Sequence, residues 1–397
     1  MTIKINNLFF VCLSFFGIVL SSSQVIVNLG LSSIIQYISY FMLMLCVFLT
    51  LIKNTLNVFA NRIIYFLIIS FLFIIGINLQ NLPLSRKIYL SFSMLIISSL
   101  STLPIKLINN LSDLRRISYY LLHSIFLSVF LGLVFKISLV TVAVEGISFS
   151  YGFNGGLTHK NFYAITILVS YILLYVSRKY DAKHQIDSFV LWLDLFLLLI
   201  SNTRTVYIIL VVFWIIINRN FINNIKKEHR LVVTATTIVI SLLALTFFFK
   251  HIINNSESYS HRVLGVVNFF KYYESDRFHL FFGDAELAFG NTTKGYGHNI
   301  RSVLGWDGTV EMPLLSVMIK NGYVGLVGYI IVLFKFISSI ISVKNSTKKN
   351  IGLSIFIPLL LSATVENYIV NISFVFMPVC FCILCSIKNI KLVNNRK

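Results

Sequence analysis

The sequence predicts an all-α polytopic membrane protein with about twelve transmembrane helices and one large outer-face loop. Three observations carry this. Apolar residues make up 57% of the 397-residue chain, enough for about eleven spans of about 20 residues each. Charged residues make up only 12%, against about 25% in an ordinary soluble domain. The apolar residues are also gathered into long runs with short polar connections. A soluble globule of this composition would expose large apolar patches and aggregate. A soluble enzyme, a disordered chain and a secreted domain are therefore excluded.

The apolar cores run, in order, over 8–20, 33–51, 63–79, 89–105, 117–139, 162–176, 188–200, 206–217, 231–249, 323–336, 351–364 and 369–387. The shorter cores need flanking polar residues to snorkel, or the helix to extend, before they cross a bilayer. The chain thus divides into helices one to nine over 1–249, a large loop over 250–311, and helices ten to twelve over 312–397. The first run follows a basic residue, Lys4, and precedes Ser21, Ser22 and Ser23. It lacks an Ala-x-Ala-like cleavage pattern and many further spans follow, so it reads as a first helix and not as a signal peptide. The five cysteines all sit inside apolar runs and read as small packing residues without a disulfide framework. Cys380, Cys382 and Cys385 have apolar neighbours and no His or Asp partner, so no metal or other cofactor is expected.

The formal charge of +19 would point to nucleic acid or an acidic partner in a soluble protein. In a membrane protein it must first be sorted by side. With the N-terminus inside and the spans alternating, 21 Lys and Arg and four acids fall inside, a net +17. Eleven basic and nine acidic residues fall outside, a net +2. The positive-inside rule is satisfied, with both termini cytoplasmic. The charge serves orientation, and nucleic acid is not an expected partner. Two ionisable groups, Lys136 and Asp194, fall within predicted spans, where they are either functional or a structural ion pair. His123, in span five, is expected to be an interior residue.

One connection is not short. The loop from Lys250 to Glu311 has 62 residues, with six basic and seven acidic among them, and carries four of the eight histidines. Long loops of this kind are usually functional. Its stretch from His261 to Phe278 is rich in apolar and aromatic residues and suits a helix lying in the membrane interface.

Three clusters fall on the outer face. Gly152-Phe153-Asn154-Gly155-Gly156-Leu157-Thr158-His159-Lys160-Asn161 leads into span six, its glycines giving flexibility and close backbone approach. Ser201-Asn202-Thr203-Arg204-Thr205 forms the tight turn between spans seven and eight. Gly295-Tyr296-Gly297-His298-Asn299-Ile300-Arg301 lies late in the loop. Arg204 sits between two long apolar runs, on the side where basic residues are least expected, and its planar fork suits phosphate. Headgroup snorkelling is the alternative. Lys160 is placed either to contact phosphate or to anchor span six. His298 is a candidate proton acceptor or a turn-capping residue. Arg262 and Arg301 would add positive charge beside a leaving phosphate, or serve as an interfacial anchor and a surface ion pair. Glu311, with Asp284, Glu286 and Asp307, supplies alternative general bases or solvated loop charges.

Placed in this order, the clusters resemble motifs of the O-antigen polymerase and ligase superfamily, the Wzy-type repeat-unit polymerases and their ligase relatives. The matching features are Gly156-Leu157-Thr158-His159-Lys160-Asn161 entering a span, Ser201-Asn202-Thr203-Arg204 as a Ser-x-x-Arg turn, Arg262 opening the loop and His298-Asn299 late in it. Lys320-Asn321-Gly322-Tyr323-Val324-Gly325-Leu326-Val327-Gly328 follows as a Gly-rich helix start. The similarity covers roughly 152–336. Lys160 stands where the family tends to have proline. Some 22 residues separate Asn299 from Gly322, more than ligases tend to show, which favours a polymerase.

What the resemblance implies is a GT-C-like helical fold and a metal-independent inverting glycosyltransferase of the plasma (bacterial inner) membrane. It would move a growing glycan from undecaprenyl pyrophosphate onto a lipid-linked oligosaccharide repeat unit at the outer face, for O-antigen or capsule. A chain-length regulator is a possible partner. Arg204, Arg262, Arg301 and Lys160 would hold the pyrophosphate, and His298, with Glu311 behind it, would act with Arg204 in catalysis. The alternatives are a ligase delivering glycan to lipid A–core and, in another class, a multi-span transporter or flippase for the lipid-linked oligosaccharide.

Overall fold

Long apolar runs have one stable form in a bilayer, because every backbone N–H and C=O must be paired within the segment. The computed structural model accordingly winds them into helices. It describes residues 7–145, 148–181, 184–219, 246, 264–289, 312–363 and 366–392. The first nine α-helices are α1 (Asn7–Ser21), α2 (Gln24–Asn28), α3 (Ser32–Ile52), α4 (Leu56–Leu79), α5 (Leu84–Thr102), α6 (Leu111–Val134), α7 (Lys160–Tyr180), α8 (Gln185–Ser201) and α9 (Arg204–Ile217). Then come α10 (Gly265–Tyr272), α11 (Arg277–Phe282), a 3-10 turn over Ala285–Phe289, α12 (Pro313–Ile341), α13 (Ser346–Ser362) and α14 (Phe376–Ser386). The protein is an all-α membrane protein. Among the described residues, five helices, α3, α4, α6, α7 and α12, are long and apolar enough to cross a membrane. The predicted span at 231–249 lies outside the described residues.

The helix surfaces show which side faces lipid. On α3, Ile34, Ile38, Phe41, Leu45, Phe48 and Ile52 are exposed at alternating spacings of four and three, one stripe of the helix. The opposite face, with Tyr40, Leu43 and Val47, is buried. On α8 the exposed stripe is Ile186, Phe189, Trp192, Phe196 and Leu199, while Asp187 and Asp194 face inward and are fully buried. All five cysteines are buried within the helix packing.

Hydrogen bonds fix which helix ends lie together. At one end, Arg62 of α4 donates to the Thr102 carbonyl at 2.9 Å, and Lys179 of α7 donates to the Ile217 carbonyl of α9 at 2.8 Å. Asn350 of α13 reaches that same carbonyl at 3.0 Å, and the Lys391 amide donates to Asn109 at 2.6 Å. At this end Arg115 of α6 also meets Asp187 of α8 at 3.1 Å and Asp181, just past α7, at 3.7 Å. The sequence reading assigned all these basic residues to one side, and the described helix ends that carry them are joined by these bonds.

The opposite end departs from the purely helical expectation. Val140–Glu145 (β1) and Ser148–Phe153 (β2) pair antiparallel, with Val140 opposite Phe153 and Glu145 opposite Ser148. The run of β-branched residues Val140-Thr141-Val142 suits a pleated ribbon, and six residues are too few to sustain a helix against it. This hairpin marks what we term the hairpin end. Lys136 belongs here too. It lies beyond the end of α6 in an exposed turn, with φ 55°, and not within a span. Among the described residues no ion pair joins it to Asp194. Instead, Asp194 Oδ2 accepts from Ser170 at 3.2 Å. His123 points outward from α6, its Nδ1 2.5 Å from the Tyr119 carbonyl, and is not an interior residue.

Two predicted helices are broken. The last was expected to run over 369–387, but α14 begins at Phe376 and has only 11 residues, all buried. Pro378 explains the start. It has no N–H to offer the Phe374 carbonyl, so it sits best in a first turn, which is where α14 holds it. The segment before it is irregular yet buried, with Tyr368 and Ile369 fully enclosed. Irregular backbone at membrane depth is tolerated where protein surrounds it. In α12 the predicted helix start near Tyr323 is instead a break inside a longer helix, at Gly322 with φ 60° and ψ −156°.

Candidate functional site

Each predicted cluster at the hairpin end is set by local chemistry. The first cluster is pinned where flexibility was expected. Asn154 Oδ1 accepts from the Gly156 amide at 2.9 Å and its Nδ2 donates to Thr141 Oγ1 at 2.9 Å. The Gly156 carbonyl accepts from Gln24 at 2.8 Å, and the Thr158 amide donates to Ser22 at 2.9 Å. These bonds tie the strand-to-helix connection to the end of α1. The close approach expected of the glycines is present. A Cβ at Gly156, whose φ is 74°, would lie 2.5 Å from the Ser128 carbonyl oxygen.

The connection delivers the chain into α7. His159 caps it, its Nδ1 accepting from the Asn161 amide at 3.1 Å. Lys160 is the first helical residue and is buried, 5% exposed. A buried lysine at a helix N-terminus is in an adverse place. The aligned peptide dipoles already leave that end positive, and cations belong at the other.

The second cluster forms the tight turn that the sequence indicates. Ser201 ends α8, Asn202 takes the left-handed conformation with φ 49°, and Thr203 precedes Arg204, the first residue of α9. Asn can hold this conformation at low cost. Asn202 Nδ2 donates to the Tyr151 carbonyl of β2 at 2.9 Å, which binds the turn to the hairpin. Arg204 is exposed and, like Lys160, occupies the positive end of its helix.

Gly152 brings the two clusters together. A Cβ built there would lie 2.3 Å from the Ser201 carbonyl oxygen and 2.6 Å from Lys160 Cδ. The hairpin, the α7 start and the α8–α9 turn therefore meet around the space that this glycine leaves. Replacing Gly152 by Ala should cost about 1–3 kcal/mol through overpacking against backbone that cannot swing away. Thermal unfolding in detergent measures this, and an unchanged midpoint would contradict the packing.

The arrangement places two cations at two helix N-termini that face the same end of the protein. Each N-terminus presents a positive dipole end, an environment that favours an anion. Asn161, next after Lys160, extends the group. Its Nδ2 donates to Glu366 Oε1 at 3.4 Å, bringing in a carboxylate that the sequence reading left without a role. The signal for Glu366 was the one that singled out Arg204, a charge between two apolar runs.

Part of the large loop also docks at this end. The predicted interfacial stretch forms α10, but Phe269 and Tyr273 pack with Leu315, Met318 and Ile319 of α12, while Val267 and Tyr272 stay exposed. Gln80, at the end of α4, donates to the carbonyls of Phe282 at 2.6 Å and Lys320 at 3.2 Å, and accepts from the Ala285 amide at 2.5 Å. Two of the predicted bases are engaged elsewhere. Asp284 accepts from Tyr273, and Glu286 lies 3.5 Å from Arg86. The predicted residues Arg262, His298, Arg301, Asp307 and Glu311, and the whole third cluster, lie outside the described residues. Among the described residues no group of three or more His, Cys, Asp or Glu could hold a metal ion. Comparison of the chain with protein-family models and with curated proteins finds no match to either.

Proposed function

We propose that the protein is a glycosyltransferase acting on undecaprenyl-pyrophosphate-linked oligosaccharide at the outer face of a bacterial plasma membrane. It joins repeat units into a polymer of the O-antigen or capsule kind. On this reading the hairpin end faces outward and both termini lie in the cytoplasm. The observation that carries it is the meeting of Lys160 and the Ser201–Arg204 turn around Gly152, with both cations in the first turns of their helices. Two cations added to two positive helix ends make a local environment that suits a dianion. A lipid pyrophosphate brings such a charge to the level of the bilayer surface. A protein embedded in the same bilayer meets it without extracting the lipid.

Chemically, the departing pyrophosphate needs stabilisation of developing negative charge. Fixed cations in a partly dry site supply it. Arg204→Ala is expected to lower polymer formation by about 10²–10³-fold, the usual effect of losing one fixed charge-stabilising group. The assay is transfer between lipid-linked repeat units by the purified protein in liposomes. A polymer ladder equal to wild type would remove Arg204 from the site.

The buried Asp194 supports a second reading, a transporter for the lipid-linked oligosaccharide, because an ionisable group inside the bundle often marks a coupling site. The two readings order the variants oppositely. A transporter loses function in Asp194→Asn and tolerates Arg204→Ala. The polymerase shows the reverse, which is the order expected here.

A further inference from the structure

We propose that Glu366 is the general base of this transfer, the group that takes the proton from the attacking sugar hydroxyl. The inference rests on the transferase reading above. Three features of the fold lead to it.

The first is location. Asn161, directly after Lys160, holds Glu366 Oε1 at 3.4 Å. The carboxylate therefore stands beside the α7 N-terminus, held by the residue that follows Lys160 in the chain. A base must lie within hydrogen-bond reach of the acceptor while the leaving group faces positive charge. A carboxylate tied to the helix start that carries Lys160 serves the first need, and the cations at the two helix starts serve the second.

The second is mounting. Glu366 begins the irregular segment that precedes α14. Its amide donates to Ser362 at 2.9 Å, and its carbonyl accepts from Tyr368 at 2.8 Å. Tyr368 is fully buried and packs edge-on against Phe374. Phe374 in turn stacks on Phe162 of α7, with ring centroids 4.2 Å apart. Asn367 donates to Ser316 of α12 at 3.3 Å. The carboxylate is thus fixed relative to both α7 and α12, as a group positioned for proton transfer must be.

The third is the position of three other described acids. At the hairpin end, Asp276 pairs with His279 at 2.5 Å, Asp284 with Tyr273, and Glu286 with Arg86. Each of these three lies on the loop segment packed against α4 and α12, not on the α7 start.

The step balances without a metal or a redox partner. The acceptor oxygen forms a bond to the anomeric carbon of the donor glycan. The bond from that carbon to the pyrophosphate oxygen breaks, and its electron pair leaves with the lipid pyrophosphate beside Lys160 and Arg204. The hydroxyl proton passes to the Glu366 carboxylate and from there to water.

The test compares wild type, Glu366→Gln, Glu366→Asp and Arg204→Ala, each as the full chain in liposomes with polyprenyl-pyrophosphate oligosaccharide, across a range of pH. Glu366→Gln should lower kcat by about 10²–10³-fold, leave KM for the lipid-linked substrate within about twofold, and abolish the fall in rate toward acid pH. Glu366→Asp should keep that acidic limb at a reduced kcat, which also covers the case in which the Gln variant fails to fold. Wild-type kcat and an intact acidic limb in Glu366→Gln, with Arg204→Ala inactive, would overturn the assignment and leave the transferase reading standing. Absence of transfer by the wild-type protein would take down both.

Discussion

Arg115→Met should destabilise the protein by about 3–5 kcal/mol, the cost of leaving a buried charge without its partner. Arg115 lies between two carboxylates at the end opposite the hairpin, with Nε 3.1 Å from Asp187 and Nη1 3.7 Å from Asp181. The Asp187 side chain is fully buried and those of its partners are nearly so. Its other oxygen accepts from Tyr119 at 2.6 Å. With the guanidinium gone, Asp187 keeps its hydrogen bonds from Tyr119 and the His184 amide but loses its countercharge. Three helices would feel the loss, since Arg115 belongs to α6, Asp187 to α8, and Asp181 follows α7. Adding Asp187→Asn to Arg115→Met should recover much of the stability, because a buried ion pair replaced as a unit is often close to neutral. Thermal unfolding of the detergent-solubilised single and double variants decides this. A single variant as stable as wild type would mean that solvent reaches the pair and that it acts as an ordinary surface bridge.

That cluster marks one limit of what the sequence discloses. Asp181 and Asp187 read as inner connection charges, and the structure gathers both on Arg115. Their burial depends on a partner 72 residues away from Asp187, which no local pattern records. The Ser201–Arg204 turn was legible for the opposite reason. Two apolar runs separated by a few polar residues leave room only for a tight turn, and Asn202 supplies the left-handed residue it needs. The hairpin at Val140–Phe153 was missed because one apolar run appeared to continue to Leu139, which also drew Lys136 into a span. The short α14 was legible in principle from Pro378, but hydropathy alone does not distinguish a buried helix from buried irregular chain. At the site, residue type and sidedness singled out Lys160 and Arg204. The meeting of Lys160 with the Ser201 carbonyl around Gly152 is a tertiary fact, as is the link from Asn161 to Glu366.

Gly322→Ala is the second substitution expected to have a large effect, and it tests whether the break in α12 is built in. Gly322 holds φ 60° and ψ −156°, a region essentially reserved for glycine, and forcing a side chain into it costs about 1–3 kcal/mol. Space adds to the strain. A Cβ there would lie 2.4 Å from the carbonyl carbon and oxygen of Phe281, and backbone cannot rotate aside as a side chain does. Gly283 faces the same junction from the other strand of chain, where a Cβ would lie 2.6 Å from the Ile319 carbonyl oxygen. Gln80 spans the two segments, holding the carbonyls of both Phe282 and Lys320. The break in α12 is thus the seat on which α11 docks, and α4 clamps the two together. Alanine at 322 should push α11 off this seat or close the break into a straight helix. Either outcome should raise amide hydrogen exchange over 277–289 and lower the unfolding midpoint, while α6 and α7 keep their protection. Wild-type exchange over 277–289 would show that α11 is held by its other contacts and that the glycine is incidental. The result bears on function as well. The large loop carries the predicted residues Arg262, His298 and Arg301, and the described part of that loop is held to the helices through this junction. If transfer activity falls in Gly322→Ala while Lys160 and Arg204 are untouched, the docking of the loop is itself part of how the site is assembled.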